Sequence, residues 1–345
     1  MAKFLYRICT PLLGVGCLIM LALIVTNREL PTHLFSIANL QSFKILFISI
    51  ILEAFPFILL GVIFSAILQV FVSDELIQKF MPKNPVMGVL FGALLGILFP
   101  LCECGMIPVV RRLIRKGMPA YIGIVYLLAG PVVNPIVFAS TFAAFRTTPE
   151  MAYARMILAF VIAVIIGLLL YKFMRSSPLK LAQPFHLIKQ GHTHSHNHTH
   201  IHEHGTSGTG FRGRAASTLS HASNEFFEMG KYFIFGAMLT AIIQTVIDRS
   251  TFEAFADQPL FSYLFMMGFA FILSICSTSD AFIASSFSGM FDFGPLLAFL
   301  VFGPMIDLKN TLMLLTTFRI KFVFILIVLT AALTFIGAWI MEALL

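Results

Sequence analysis

Nine long apolar runs follow one another along the 345-residue chain, near 5–26, 43–72, 86–110, 119–145, 151–174, 226–247, 260–284, 293–316 and 321–344. About 20 apolar residues in a helix cross the hydrocarbon core of a bilayer. In lipid the backbone must satisfy its own hydrogen bonds, which leaves helices or closed barrels. Runs of this length predict helices, so the chain reads as an all-α polytopic membrane protein with the lipid bilayer as its principal partner. Composition agrees: 59% of residues are hydrophobic and 11% are charged, against about 25% charged in soluble domains. The mean hydropathy is +0.93.

The 23 Lys and Arg outnumber the 16 Asp and Glu, for a net charge of +7. The excess lies mostly in short links between apolar runs, where it sets membrane orientation rather than binding nucleic acid. All five cysteines, Cys9, Cys17, Cys102, Cys104 and Cys276, sit within apolar segments. That placement does not match a secreted disulfide framework. Met1–Val25 has a short basic lead and a long apolar run without an evident small-residue cleavage site. It reads as a retained first helix. No Walker loop, Gly-x-Ser-x-Gly or His-Glu-x-x-His is present, which argues against an ATPase or a standard hydrolase. The chain reads as a transporter and not an enzyme, with no required cofactor.

An internal repeat organises the runs. Glu53, Gly61 and Gln69 in EAFPFILLGVIFSAILQV recur at identical spacing as Glu228, Gly236 and Gln244 in EMGKYFIFGAMLTAIIQTV. LCECGM (101–106) then falls opposite ICSTSD (275–280), and AGPVVN (129–134) opposite FGPMID (302–307). The expected divisions are an N-terminal transmembrane helix and external loop (1–40), a first four-segment repeat (41–175), a flexible cytoplasmic His-rich loop (176–224) and a second repeat (225–345). Two topologies accommodate the runs. Nine plain spans place the cluster Arg111, Arg112, Arg115 and Lys116 outside, opposite Lys79 and Lys83. If 86–118 instead enters and leaves on one side, both clusters become cytoplasmic, as the positive-inside rule prefers. Pro100, Gly105 and Pro108 would break the helix at the turn. Its counterpart 260–292 would dip in from the other side, giving seven spans and two re-entrant hairpins in inverted halves, an arrangement common in secondary transporters.

Three paired features carry the chemistry. Cys102-Glu103-Cys104 puts two thiols around a carboxylate. In a regular helix those thiols point apart, but at a break they share a face. Soft thiolates suit Zn²⁺, Cu(I) or a thiophilic metalloid. The second half offers Cys276 and Asp280 at the matching place. Gly130-Pro131 and Gly303-Pro304 should break helices just before Asn134 and Asp307, and paired breaks are the best pointer to a transport site. Glu53 and Glu228 are membrane carboxylates, expensive unless functional or at headgroup level. Gln69 and Gln244 should cap or bridge helices. Burial of a small apolar thiol and a packing kink are the plain alternatives for the first two features. Separately, His192, His194, His196, His198, His200, His202 and His204 alternate along one segment. Imidazoles on one side of an extended chain suit Zn²⁺ or another divalent metal.

PLCECGMIPV followed by a basic patch, AGPVVNP, SICSTSDAF and FGPMIDLKN together resemble the ArsP-type predicted permease family of bacteria, over roughly residues 40–344. The resemblance implies a multi-pass permease of the bacterial inner membrane, built of two similar halves and acting beside a second membrane subunit. Some members resemble efflux pumps for trivalent organoarsenicals that use membrane cysteines. The positions matching by motif are Cys102, Cys104, Asn134, Cys276, Asp280 and Asp307. The His tract points toward a divalent metal such as Zn²⁺. The leading expectation is a permease for a small thiophilic metal or metalloid. Organoarsenical efflux, a metal-sensing membrane subunit and a permease for a small thiol or organic solute stand as alternatives.

Overall fold

The computed structural model describes residues 37–71, 75, 79, 81–82, 84–98, 102–173, 178–179, 211–246 and 259–344. The expected first helix, the His tract and the Gln69 and Glu228 side chains lie outside that description. The described chain is all-helical apart from an isolated bridge between Leu179 and Phe318. The helices are α1 (Ile37–Phe71), α2 (Pro85–Leu98), α3 (Glu103–Arg115), α4 (Ala120–Ala129), α5 (Pro135–Ala144) and α6 (Glu150–Phe173). They continue with α7 (Phe211–Val246), α8 (Pro259–Leu273), α9 (Asp280–Ser285), α10 (Phe293–Met305), α11 (Leu308–Thr317) and α12 (Ile320–Leu344). Helix α7 starts ahead of the boundary expected at 225. FRGRAASTLS has no apolar period, but its Ala, Arg and Leu favour helix without one.

Among the described residues four segments are long and apolar enough to cross a membrane: Gln41–Leu68, Glu150–Phe173, Phe293–Thr317 and Ile320–Leu344. Their packing is that of a protein in lipid. Small residues face inward on α1 (Ala54, Ser65, Ala66) and α7 (Ala237, Thr240, Ala241), and these two long helices pack on each other. Large apolar side chains point out: Leu52 is 69% exposed and Phe324 66%. Lipid tails, unlike water, accept such a surface, and close approach of small residues supplies the attraction between helices. Helix α10 is buried from Gly294 to Met305, and α4 from Ile122 to Ala129. These two form the interior.

Contacts along α4 fix chain direction. On α2, Gly88 lies against Ile122, Gly92 against Ile122 and Val125, and Gly96 against Gly130, so α2 runs parallel to α4. On α3, Met106 lies against Gly130, while Val110 and Ile114 lie against Gly123, so α3 runs antiparallel to α4. The chain therefore reverses between Leu98 and Glu103. The second half does the same. Tyr263 meets Gly294 and Ala270 meets Gly303, so α8 runs parallel to α10. The rings of Phe265 and Phe291 lie 6.2 Å apart and those of Phe269 and Phe287 6.0 Å apart. The segment after α9 thus returns along α8. Gly105 and Pro108, expected to break the helix, instead lie inside α3, and Pro100 lies outside the described residues. Gly61 of α1 lets the two helices approach closely here, because a methyl group at Gly61 would sit 2.6 Å from the Gly105 carbonyl oxygen. Pro108 falls in the second turn of the helix.

Candidate functional site

Four half-helices begin near the centre of the fold, and their caps build the site. Cys102 precedes α3 in an extended conformation (φ −70°, ψ 158°). Asn134 (φ −143°, ψ 131°) caps α5, its Oδ1 accepting from the Ile136 amide at 2.9 Å. Asp307 (φ −126°, ψ 173°) caps α11, its Oδ1 accepting from the Asn310 amide at 2.5 Å. The breaks after Gly130-Pro131 and Gly303-Pro304 thus form as expected, and the polar residue after each satisfies a freed helix end. In the second half the break falls slightly later, at Ile306–Asp307, with Pro304 still inside α10.

Between α8 and α9 the chain turns through Ser274, which holds φ at 48°. A left-handed conformation costs a non-glycine residue about 1–2 kcal/mol, and such strain persists where surroundings over-determine it. Here Lys309 fixes it twice: its amide donates to Ser274 Oγ at 3.3 Å and its ammonium to Ser274 O at 3.0 Å. Gln244 completes the end of α8 by donating to Leu273 O at 2.8 Å, as a helix-capping glutamine should.

The two turns meet at a cavity of about 30 Å³ lined by Cys102, Glu103 and Cys104 of the first half, Ser274 and Cys276 of the second, Glu53 of α1 and Lys309 of α11. This volume admits a water-sized guest. Five of the residues singled out from the sequence, Cys102, Glu103, Cys104, Cys276 and Glu53, therefore share one cavity. Glu53 accepts from Ser279 Oγ at 2.9 Å, which ties α1 to the second turn. The Cys104 thiol faces Asn310 Oδ1 at 3.8 Å and interacts with Cys102. Cys276 Sγ lies 3.5 Å from Thr278 Oγ1. Among the described residues no three His, Cys, Asp or Glu side chains converge closely enough to hold a metal ion.

Asp280 and Asn134 do not line this cavity. Asp280 is locked to Arg155 of α6 at 2.7 Å, and the side chains are 4% and 2% exposed. Arg155 also donates to Thr141 Oγ1 of α5 at 2.7 Å and to Ser277 O at 3.1 Å. Arg155 and Lys309 were not among the residues singled out from the sequence. Their signal is a lone cation inside an apolar run, which in a membrane segment points to function or to a paired partner. Each cation binds the turn of the opposite half: Arg155 holds Asp280, and Lys309 lies 3.8 Å from Glu103. The helix contacts mirror this, α5 against α9 and α3 against α11.

Broken helices meeting at a cavity lined by thiols and carboxylates, inside a shell of apolar helices, are the arrangement of a membrane transport protein. The chain matches the model of the ArsP_1 predicted permease family over residues 39–343 and belongs to that family. It is 46% identical over 294 residues to the UPF0718 protein YcgR of Bacillus subtilis, covering 85% of this chain and 94% of that one. It is 37% identical over 279 residues to a putative two-component membrane permease complex subunit of Streptococcus mutans, covering 81% and 87%. No solved structure matches it.

Proposed function

We propose that the chain carries a small thiophilic substrate, a transition metal ion such as Zn²⁺ or a metalloid, across the bacterial inner membrane. The observation that carries this reading is that Cys102, Cys104 and Cys276, from both halves, line one cavity beside Glu53 and Glu103. Soft sulfur ligands select soft ions and metalloids. The substrate joins the site as the turns close on it, since the present arrangement holds fewer than three converged ligands.

The halves act as inverted repeats spanning 41–175 and 225–345. Six helices in 37–173 are matched in order by six in 211–344, each half with a chain reversal and a later break. Helix α2, at 14 residues, extends about 21 Å at 1.5 Å per residue, short of the ~30 Å hydrocarbon core. A re-entrant hairpin suits that length. Rocking of the halves about the cavity provides alternating access. Asn134, Asp307 and Asp280 shape and hold the breaks, and Glu228 stands at the place matching Glu53. The His tract, His192 to His204, gathers divalent metal beside the permease. A second membrane subunit works with the chain, a reading supported by the likeness to the two-component permease complex subunit of Streptococcus mutans.

A second reading is a permease for a small thiol or organic solute with the cysteines structural, favoured by the lack of three converged metal ligands among the described residues. The test reconstitutes the full chain in liposomes and follows Zn²⁺, a trivalent organoarsenical and a thiol-bearing organic acid. The thiophilic reading expects Zn²⁺ or arsenical flux that falls at least tenfold in Cys102→Ser/Cys104→Ser. Flux unaffected by the serines overturns it, and flux of the organic acid alone selects the second reading.

A further inference from the structure

A second, smaller cavity of about 10 Å³ lies beside the thiol cavity, and among the described residues only Glu103 lines both. Ile107 of α3, Leu127 of α4, Met305 of α10, and Asn310 and Leu314 of α11 complete its wall. Glu103 and Ile107 share one face of α3, and Asn310 and Leu314 one face of α11, because residues four apart are neighbours on a helix. The step within each pair is about 6 Å along the axis. Helices α3 and α11 run side by side in the same direction. At their starts Lys309 Nζ lies 3.8 Å from Glu103 and the Cys104 thiol donates toward Asn310 Oδ1 at 3.8 Å. One turn on, Ile107 and Leu314 line the same small space.

The seam between α3 and α11 therefore leads from the thiol cavity toward one face of the fold. Helix α3 runs into Arg111, Arg112, Arg115 and Lys116, and α11 is followed by Arg319 and Lys321. Both halves thus place cations at the far end of the same seam, the cytoplasmic face by the positive-inside rule. Between the thiols and that face the way is shut by apolar side chains. Cys102 and Cys276 are half-buried, whereas Ile107, Leu127 and Leu314 are 1%, 6% and 2% exposed. Close-packed interiors keep few voids. This one sits beside Pro304, inside α10, where proline removes a backbone hydrogen bond and lets a helix bend.

We propose that the second cavity is the next station on the substrate's path, reached from the thiols past Asn310, and that Leu127 and Leu314 are the gate that closes it toward the cationic face. The inference rests on the transport reading above and adds its route. A soft ion leaving the thiols meets the Asn310 amide and then Met305, whose thioether is itself a soft ligand. Leu127 belongs to α4 of the first half and Leu314 to α11 of the second, so rocking of one half against the other parts the two leucines. An apolar constriction suits this place, because it closes a path by excluding water and leaves no charge to be desolvated each time it shuts.

The gate is tested first without any substrate. Cys104 is 2% exposed and lies at the inner end of the seam. In the reconstituted full chain, Leu127→Ala/Leu314→Ala should raise its reaction with a small impermeant methanethiosulfonate several-fold, read by mass spectrometry, when the reagent is applied on the face that carries Lys116. Leu314→Ala alone gives the same reading where the double variant does not fold. Leu158→Ala, an equal truncation on α6 against Gly337, should leave Cys104 shielded. No gain in the gate variants, or an equal gain in Leu158→Ala, overturns the proposal. Flux is then followed in liposomes with Zn²⁺ and a trivalent organoarsenical as probes. Leu127→Ala/Leu314→Ala should raise it several-fold. Leu314→Phe and Asn310→Leu should each lower it at least tenfold while the probe still protects Cys102 and Cys276 from maleimide. Parent flux that is unchanged in the widened and the filled variants alike overturns the route while the thiophilic reading stands. Parent flux of neither probe defeats the thiophilic reading, and Cys104 labelling then decides the route alone.

Discussion

Replacing Arg155 with Met removes the cation that holds the second turn to the first half. Arg155 is 1% exposed and satisfies three acceptors: Asp280 Oδ2 at 2.7 Å, Thr141 Oγ1 at 2.7 Å and Ser277 O at 3.1 Å. Asp280 Oδ1 already has no hydrogen-bond partner, so the substitution strands a buried carboxylate. Breaking a buried ion pair from one side costs about 3–5 kcal/mol, two to nearly four powers of ten in the folding equilibrium. Thr141 keeps its bond to Val137 O at 2.8 Å, whereas the Ser277 carbonyl loses a donor, at about 1–3 kcal/mol. Removing both charges, as in Arg155→Met/Asp280→Leu, should recover most of the loss, because well-packed apolar replacements of buried pairs are often neutral. The double variant should remain about 1–2 kcal/mol below the parent, on account of Ser277. Unfolding of the detergent-solubilised single and double variants measures the cycle, with a coupling of at least about 2 kcal/mol expected. A change within about 0.5 kcal/mol for Arg155→Met, or a double variant equal to the sum of the singles, would refute the reasoning.

Other substitutions probe the remaining joints. Gly61→Val should lower the yield of folded protein and destabilise it by about 1–3 kcal/mol, because its side chain meets the Gly105 backbone; Phe55→Val, on a half-exposed α1 position, should be tolerated. Asn134→Ala should cost about 0.5–2 kcal/mol through the lost cap, and Asn134→Asp, which keeps the acceptor, should cost less; thermal unfolding separates them. Gln244→Leu leaves Leu273 O without its donor and should destabilise by about 1–3 kcal/mol. Single reporter cysteines at Lys79 and Lys116 should react with an impermeant maleimide from the same membrane face; labelling from opposite faces would replace the re-entrant hairpin by plain spans.

Much of this architecture is legible before any coordinates. Apolar run length anticipates four long segments, Gln41–Leu68, Glu150–Phe173, Phe293–Thr317 and Ile320–Leu344, whereas the runs at 86–110, 119–145 and 260–284 hold shorter helices; Gly130-Pro131 and Gly303-Pro304 announce breaks because proline cannot continue the hydrogen-bond ladder. Asn134 and Asp307 follow directly, since a freed helix N-terminus needs a capping oxygen. Cys102, Glu103 and Cys104 are legible as a unit because a helix start lets them share a face. The pairing is harder. Arg155 and Asp280 are separated by 125 residues, and Lys309 reaches Glu103 across the two halves, so each bond follows from packing between repeats and not from local spacing. Asp280, matched by motif to the thiol site, instead serves the Arg155 lock. The left-handed Ser274 had no sequence signal, because glycine is the usual residue for that conformation. Helix α7 extends to Phe211 on backbone propensity alone, which an apolar period does not register.

The most direct test asks whether substrate occupies the place where the two turns meet. In a full chain carrying Cys9→Ser and Cys17→Ser, the remaining thiols are Cys102, Cys104 and Cys276. Sealed vesicles are treated with a membrane-impermeant maleimide, with and without whichever probe the parent chain transports, and the labelled cysteine is read by mass spectrometry. The account predicts that Cys102 and Cys276 are modified, that the transported probe slows both reactions at least tenfold, and that modification stops flux. Labelling unchanged by a probe that is nonetheless carried would contradict it, because substrate would then cross the membrane without passing between the turns.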